Sequence, residues 1–175
     1  KPPAKPDPGG TQPPPGPDPE PPLEIPTDED KRREALMWEM YGDYKRAAFP
    51  TVPDVKPADA KALLDAGRAI IVDIREPQER AISKINGAMD KETFEANRDA
   101  HVDKIILSYC TIGYRSGLYT EGLIREGFEA KNLAGSVLAW AHARLTFKKD
   151  DTETKRVHVY GSTWNLLPED FEAVF

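Results

Sequence analysis

From residue 52 onward, short apolar runs alternate with stretches of helical apolar spacing. "VPDV" reads as a short strand. "KPADAKALLDAG" reads as a helix, with Pro57 suited to its first turn and Gly67 to its C-terminal stop. "AIIVD" is a compact buried strand, "REPQERAI" a short helix, "INGAM" a short strand and "DKETFEANRDAH" a helix. "KIILSY" is the second strong buried strand. Residues 116–126 follow as a helix closed by Gly127, with Phe128 behind it. "AKNL" is a strand and "SVLAWAHARL" a helix for which Ser136 is the expected cap. Continuous apolar strands separated by helices predict an α/β fold whose parallel sheet is covered on both faces. The tail "RVHVYGSTWNLLPEDFEAVF" offers one short strand and one short helix.

Upstream, "TDEDKRREALMWEMYGDYKRAAF" starts with Thr27 and Asp30 at capping-box spacing and acids in the first turn. Leu36, Met37, Met40, Tyr41 and Tyr44 then make an apolar stripe, the pattern of a helix that docks on a larger body. The expected organisation is a Pro-rich linker over 1–27, disordered on composition. A helical extension follows over 28–50, the main domain over 51–147, and a C-terminal appendage packed on that domain over 148–175.

Composition sharpens this division. Twelve of the 17 prolines lie in residues 1–26, so that segment buries little and reads as an extended spacer. The formal charge is −6 and the basic residues are scattered, which argues against a nucleic-acid partner. No apolar run approaches the roughly 18 residues of a membrane helix, so no membrane insertion by this segment is expected. The chain is headed by Lys1, and a Pro-rich leader is a common spacer from an envelope anchor. The expectation is therefore a periplasmic or envelope-tethered protein with removed upstream residues; a cytoplasmic protein is the alternative.

The chain has one cysteine, which excludes an internal disulfide or an intramolecular dithiol cycle. Cys110 stands at the carboxyl end of "KIILSY", the edge where parallel α/β sheets bind ligands. The loop that follows, Thr111, Ile112, Gly113, Tyr114, Arg115 and Ser116, is short and contains a glycine. It can turn successive amides toward one point and so form an anion-binding concavity with the helix N-terminus. A thiolate held there is stabilised, so its pKa is expected below the free value of roughly 8.5. Arg115 adds positive charge and Ser116 is placed to cap the helix. A cysteine at the end of a buried strand is more often a small core residue. The glycine, arginine and serine at fixed offsets reverse that weighting.

"CTIGYRSG" resembles the active-site loop of the rhodanese superfamily. "IIVDIREPQER" resembles the family's buried strand ending in an aspartate and an arginine, and "LAGSVLAWAHA" its glycine-to-tryptophan stretch before the last helix. Together these cover about residues 52–146, in family order. The resemblance implies a single rhodanese-like domain with a central five-stranded parallel sheet flanked by helices. It also implies that Cys110 is the nucleophile, carrying sulfane sulfur as a persulfide from thiosulfate or another persulfide. The acceptor would be a thiol, cyanide or a protein, and no metal or organic cofactor is expected. Four residues separate Cys110 from Arg115. Family phosphatases carry one more, so the loop favours sulfur transfer over Cys-dependent phosphatase action. A non-catalytic module that binds or senses sulfur or an anion is the other alternative. Family loops that prefer thiosulfate show cations where this chain has the neutral Thr111 and Ile112, which points toward a persulfide donor.

Several residues stay open between two roles. Tyr114 either lines the mouth of the pocket or packs outward. Asp73 either braces the loop, through its amides or Arg115, or joins Arg75 in a structural role, which is favoured. Lys84 and Asn86 stand where the family often has a histidine and a proline. Trp140 is expected as a core anchor. His101, His142 and His158 are scattered, as surface or packing residues rather than partners of the cysteine.

Overall fold

Thr27 and Asp30 do cap the first helix of the computed structural model, which describes residues 25–175. The Pro-rich linker expected over 1–27 lies almost wholly outside the described residues. Thr27 Oγ1 accepts the Asp30 amide at 3.0 Å, and helix α1 runs from there over Asp28–Ala48. Met37 and Tyr41, one turn apart, are buried, whereas Leu36 at the edge of the stripe is not. The N-terminus of α1 is tied to the C-terminal tail. Asp30 is buried and accepts Arg144 Nη2 and the Glu169 amide, both at 2.7 Å.

The main domain alternates as the apolar runs predict. It begins with β1 (Asp54–Val55), α2 (Pro57–Asp65), β2 (Ala69–Asp73), α3 (Pro77–Arg80), β3 (Lys84–Ile85), β4 (Met89–Asp90) and α4 (Lys91–Ala96). Next come β5 (Ile105–Tyr109), α5 (Tyr114–Arg125), β6 (Ala130–Leu133) and α6 (Ser136–His142). Five strands form one parallel sheet in the order β1-β6-β5-β2-β4. Residues on β2 and β5 alternate between two apolar layers. Ile71, Ile105, Leu107 and Tyr109 face the layer that holds Met37, Phe49 and Trp140. Val72 and Ile106 face Phe94 and Leu123 on the other side. Both faces are therefore covered. Trp140 is an anchor of the first layer, its indole N–H donating to the Thr146 carbonyl at 3.2 Å.

The boundaries differ at several points. "INGAM" is not one strand: β3 and β4 flank Gly87, whose φ is +78°, and β3 leaves the central sheet to pair antiparallel with β7 (Phe147–Lys149). The stretch 90–101 is α4 followed by a 3-10 turn over Arg98–His101, and α3 covers only four residues of "REPQERAI". The tail holds more strand than the one segment expected. β7 forms a hairpin with β8 (Thr152–Thr154), while β9 (Arg156–His158) pairs in parallel with β10 (Glu172–Val174). Its expected helix is one 3-10 turn, Ser162–Trp164. These strands are three residues long, too short for their alternation to stand out from a mixed polar sequence. Among the described residues no helix is long and apolar enough to cross a membrane.

Candidate active site

Cys110 follows β5 directly, and α5 opens four residues later at Tyr114. Gly113 makes this short crossing feasible. Its φ is +108°, and a Cβ there would stand 2.7 Å from Cε2 of Tyr41, so both its backbone angle and the approach of α1 exclude a side chain. Gly113, not Ser116, is the N-cap of α5, so the helix starts two residues earlier than its apolar pattern suggests. The first intrahelical bond runs from the Gly117 amide to the Gly113 carbonyl at 3.0 Å. The amides of residues 114–116 precede it and have no carbonyl partner within the helix.

One donor is committed to the thiol and two more groups lie near it, the Ser116 hydroxyl and the Arg115 guanidinium. The Gly113 amide donates to Cys110 Sγ at 3.2 Å, and Ser116 Oγ lies 3.5 Å from the sulfur. The expected convergence of several amides thus reduces, at Sγ itself, to one. Ser116 is buried and has a single proton, which the Asn132 Oδ1 acceptor holds at 2.7 Å. Ser136 is likewise no helix cap. Gly135 takes that position, and Ser136, at φ +47°, accepts the Cys110 amide at 3.0 Å and donates to the Leu133 carbonyl at 3.1 Å. The carbonyls of Cys110 and Thr111 accept the Val137 and Leu138 amides, each at 3.3 Å. The loop is therefore clamped between α5 and α6.

Behind this shell lies a polar chain that the sequence does not advertise. Asn132 Nδ2 donates to the Gly113 carbonyl at 2.9 Å and to the Tyr41 hydroxyl at 3.0 Å, and Tyr41 donates to Asp54 Oδ1 at 2.6 Å. The one legible hint was an amide inside the apolar strand "AKNL". Tyr41 had been visible only as part of an apolar stripe.

Arg115 points to Glu79, not to Asp73. Its Nη1 and Nη2 form a bidentate pair with Glu79 at 2.8 Å each, and Nη2 lies 3.3 Å from Thr111 Oγ1. Burial pushes the Glu79 carboxyl upward. The Arg115 and Glu76 N–H groups and the charges of Arg115 and Arg75 outweigh it, so the group sits below its ordinary range. Its orientation comes from α3, where Glu79 Oε2 also accepts the Glu76 amide at 2.9 Å. "EPQE", with Pro77 opening a helix and an acid at its third position, was the available signal. His158 Nδ1 lies 3.9 Å from Glu79 Oε1, and burial first lowers its pKa.

Asp73 and Arg75 form a buried pair of their own. Arg75 Nη2 and Nε bond Asp73 at 2.7 and 3.0 Å, Nη2 reaches the Ser83 carbonyl at 2.7 Å, and the Tyr109 hydroxyl also donates to Asp73. Neither residue makes a hydrogen bond to the Cys110 loop, so the bracing role does not apply. Lys84 pairs with Asp90 at 2.9 Å.

Cys110 is only 1 % exposed, and a cavity of about 310 Å³ reaches it. Cys110, Thr111, Ile112 and Arg115 line it. Two aromatic pairs wall it: Tyr44 with Tyr114, centroids 5.2 Å apart, and Tyr160 with Trp164, at 5.4 Å. Tyr114 therefore lines the mouth. Tyr160 and Trp164 come from the tail, where no periodic pattern marked them. Among the described residues no group of three His, Cys, Asp or Glu side chains is placed to hold a metal ion.

Comparison with known proteins bears on the fold and the family. The chain is 31 % identical over 110 residues to a tRNA uridine(34) hydroxylase of Acholeplasma laidlawii (strain PG-8A), covering 58 % of this chain and spanning 33 % of that relative's length. A thiosulfate sulfurtransferase from Pseudomonas aeruginosa superposes with a TM-score of 0.53 at 19 % identity, over 70 % of this chain and 24 % of that one. A rhodanese-related protein from Thermoplasma volcanium superposes at 0.50 with 21 % identity, over 56 % of this chain and 99 % of that one. Both likenesses are likenesses of fold. The Rhodanese-like domain model matches residues 56–143, the span from the start of α2 to the end of α6. The chain belongs to the rhodanese-like domain family.

Proposed function

We propose that this chain is a sulfurtransferase in which Cys110 carries the sulfur. The observation that supports it best is the placement of Sγ. The sulfur accepts the Gly113 amide at the opening of α5, and its residue lines a cavity sized for a small molecule. The thiolate attacks the sulfane sulfur of a donor. A new S–S bond forms at Cys110, the donor's S–S bond breaks, and the leaving group departs with that electron pair. A thiolate or cyanide then attacks the terminal sulfur, takes it, and returns the electron pair to Cys110. No oxidant or reductant enters the cycle. The amides that open α5 offer partial positive charge where the terminal sulfur is negative. The neighbouring Ser116 hydroxyl supplies a further donor if it turns from Asn132 to sulfur.

One observation favours a second reading, a module that holds sulfur without turnover: the near-complete burial of Cys110. Incubation with thiosulfate or glutathione persulfide followed by intact-mass measurement tests the first step. A gain of one sulfur atom, removed by cyanide and absent from Cys110→Ala protein, is expected. No gain with either donor rejects sulfur transfer. Loading with delivery no faster than the uncatalysed reaction selects the holding module.

A further inference from the structure

We infer that the cavity above Cys110 selects a singly charged organic sulfur donor with an aryl or alkyl body over an inorganic dianion such as thiosulfate. The inference rests on the sulfur-transfer reading and names its substrate class.

Three features carry it. First, the walls are aromatic on both sides, and Tyr44, Tyr160 and Trp164 all lie outside the family-matched span 56–143. The helix and the tail outside that span thus both contribute to the lining of the cavity that reaches Cys110. Second, the cation of the cavity is already compensated. Among the described residues that line it, Arg115 alone is charged, and both arms of its guanidinium are bound by the buried Glu79 carboxylate. The helix N-terminus and the Gly113 amide answer one negative charge on sulfur; Arg115 also reaches Cys110, but Glu79 balances its charge, so the residues lining the cavity leave no net positive charge for the second charge of thiosulfate. Third, Tyr160 is held in an unfavourable backbone state. Its φ is +62° although it is no glycine, and its amide donates to His158 Nδ1 at 3.1 Å. That conformation sets its ring 5.0 Å from the Arg115 guanidinium while 59 % of the residue stays exposed. An exposed aromatic side chain contributes little to the core, so strain spent on placing it marks a binding wall.

Benzenethiosulfonate and thiosulfate make a matched pair of probes. The Cys110 thiolate takes the sulfane sulfur from either. The departing group is benzenesulfinate in one case and sulfite in the other, and the total charge is conserved in both. Each loading rate constant is read by intact mass and divided by that donor's rate with free glutathione, which removes intrinsic reactivity. The expected result is a preference of about tenfold or more for benzenethiosulfonate, the worth of partly burying one phenyl ring. The preference should fall by a similar factor in Trp164→Ala and in Tyr160→Gly, the second of which suits the positive φ and guards against misfolding. A normalised preference for thiosulfate, or one for benzenethiosulfonate that survives both substitutions, overturns the inference and leaves sulfur transfer standing. If neither these donors nor glutathione persulfide load Cys110, sulfur transfer fails; if glutathione persulfide alone loads it, sulfur transfer stands; in both cases binding decides the cavity. Calorimetry of Cys110→Ser protein should then show benzenesulfinate bound at least about tenfold tighter than sulfite; equal binding overturns the inference.

Discussion

The side-chain amide of Asn132 donates to the hydroxyl of Tyr41 at 3.0 Å, joining the strand beside the Cys110 loop to the N-terminal helix. Burial, then the hydrogen bond and charge of Asp54, raise the Tyr41 hydroxyl well above its ordinary pKa, so it remains a donor throughout the physiological range. Tyr41→Phe keeps the ring against Gly113 and removes the bridge. Asn132 then retains the Gly113 carbonyl, and Asp54 retains Lys45 at 3.0 Å. The expected cost is about 1–2 kcal/mol in urea unfolding, the value of a buried hydrogen bond whose partners are not wholly orphaned. An unchanged midpoint would show that the hydroxyl does not anchor α1.

Two glycines of α5 should respond to alanine with opposite signs. Alanine favours a helix over glycine by about 1 kcal/mol. At Gly122 a new Cβ meets nothing within 4 Å, so Gly122→Ala is expected to raise the unfolding midpoint. At Gly117 it would lie 2.4–2.6 Å from three ring atoms of Phe49. Overpacking of that kind costs about 1–3 kcal/mol, which outweighs the propensity gain. Gly117→Ala should therefore lower stability, and Phe49→Leu in the same chain should recover part of the loss. Equal effects at the two sites would contradict the close packing of the 28–50 extension on α5.

This packing also shows where the sequence was readable. β2 and β5 are buried on both faces, so each appears as an unbroken apolar run that needs no tertiary knowledge. Cys110, Gly113 and Arg115 lie within six residues and carry their chemistry in residue type. The long-range part of the site was silent. Glu79, Asn132 and Tyr41 reach the loop from α3, β6 and α1, at sequence separations of 36, 19 and 91 for three of their bonds: Glu79–Arg115, Asn132–Gly113 and Asn132–Tyr41. Ser116 and Ser136 both sit where a helix cap is expected. Glycines at positive φ took that role, which freed both hydroxyls for the cysteine and its neighbours.

The Asp73–Arg75 pair is fully buried, with no exposed side-chain surface on either residue. Asp73→Asn should leave the Arg75 guanidinium charged and unpaired, at a cost of about 3–5 kcal/mol. The apolar triple replacement Asp73→Leu, Arg75→Met and Tyr109→Phe should be far milder, because it removes both charges together and leaves no buried hydroxyl proton without its acceptor. Chemical unfolding of the two proteins separates these outcomes. A mild Asp73→Asn would mean that the Ser83 carbonyl and the Tyr109 ring, 5.4 Å from the guanidinium, suffice to hold Arg75.

Glu79 gives the fold a pH dependence with a definite sign. Its folded pKa lies below the ordinary value of 4.5, so between the two values the unfolded chain binds more protons than the folded one. Stability from this group is fully present above about pH 4.5 and is lost as the pH falls through the depressed folded value. Glu79→Gln cannot ionise and lacks this contribution. Subtracting its unfolding free energy from that of the parent protein, pH by pH, cancels most other carboxylates. The difference should be largest near pH 6 to 7, roughly constant down to about pH 5, and should shrink steadily in stronger acid. His158 faces the same carboxylate, with Arg75 and Arg115 opposing its charge, so Glu79→Gln should also shift the His158 imidazole resonance to a lower titration midpoint. A difference that grows on acidification would mean that the Glu79 carboxylate is destabilised rather than held by Arg115.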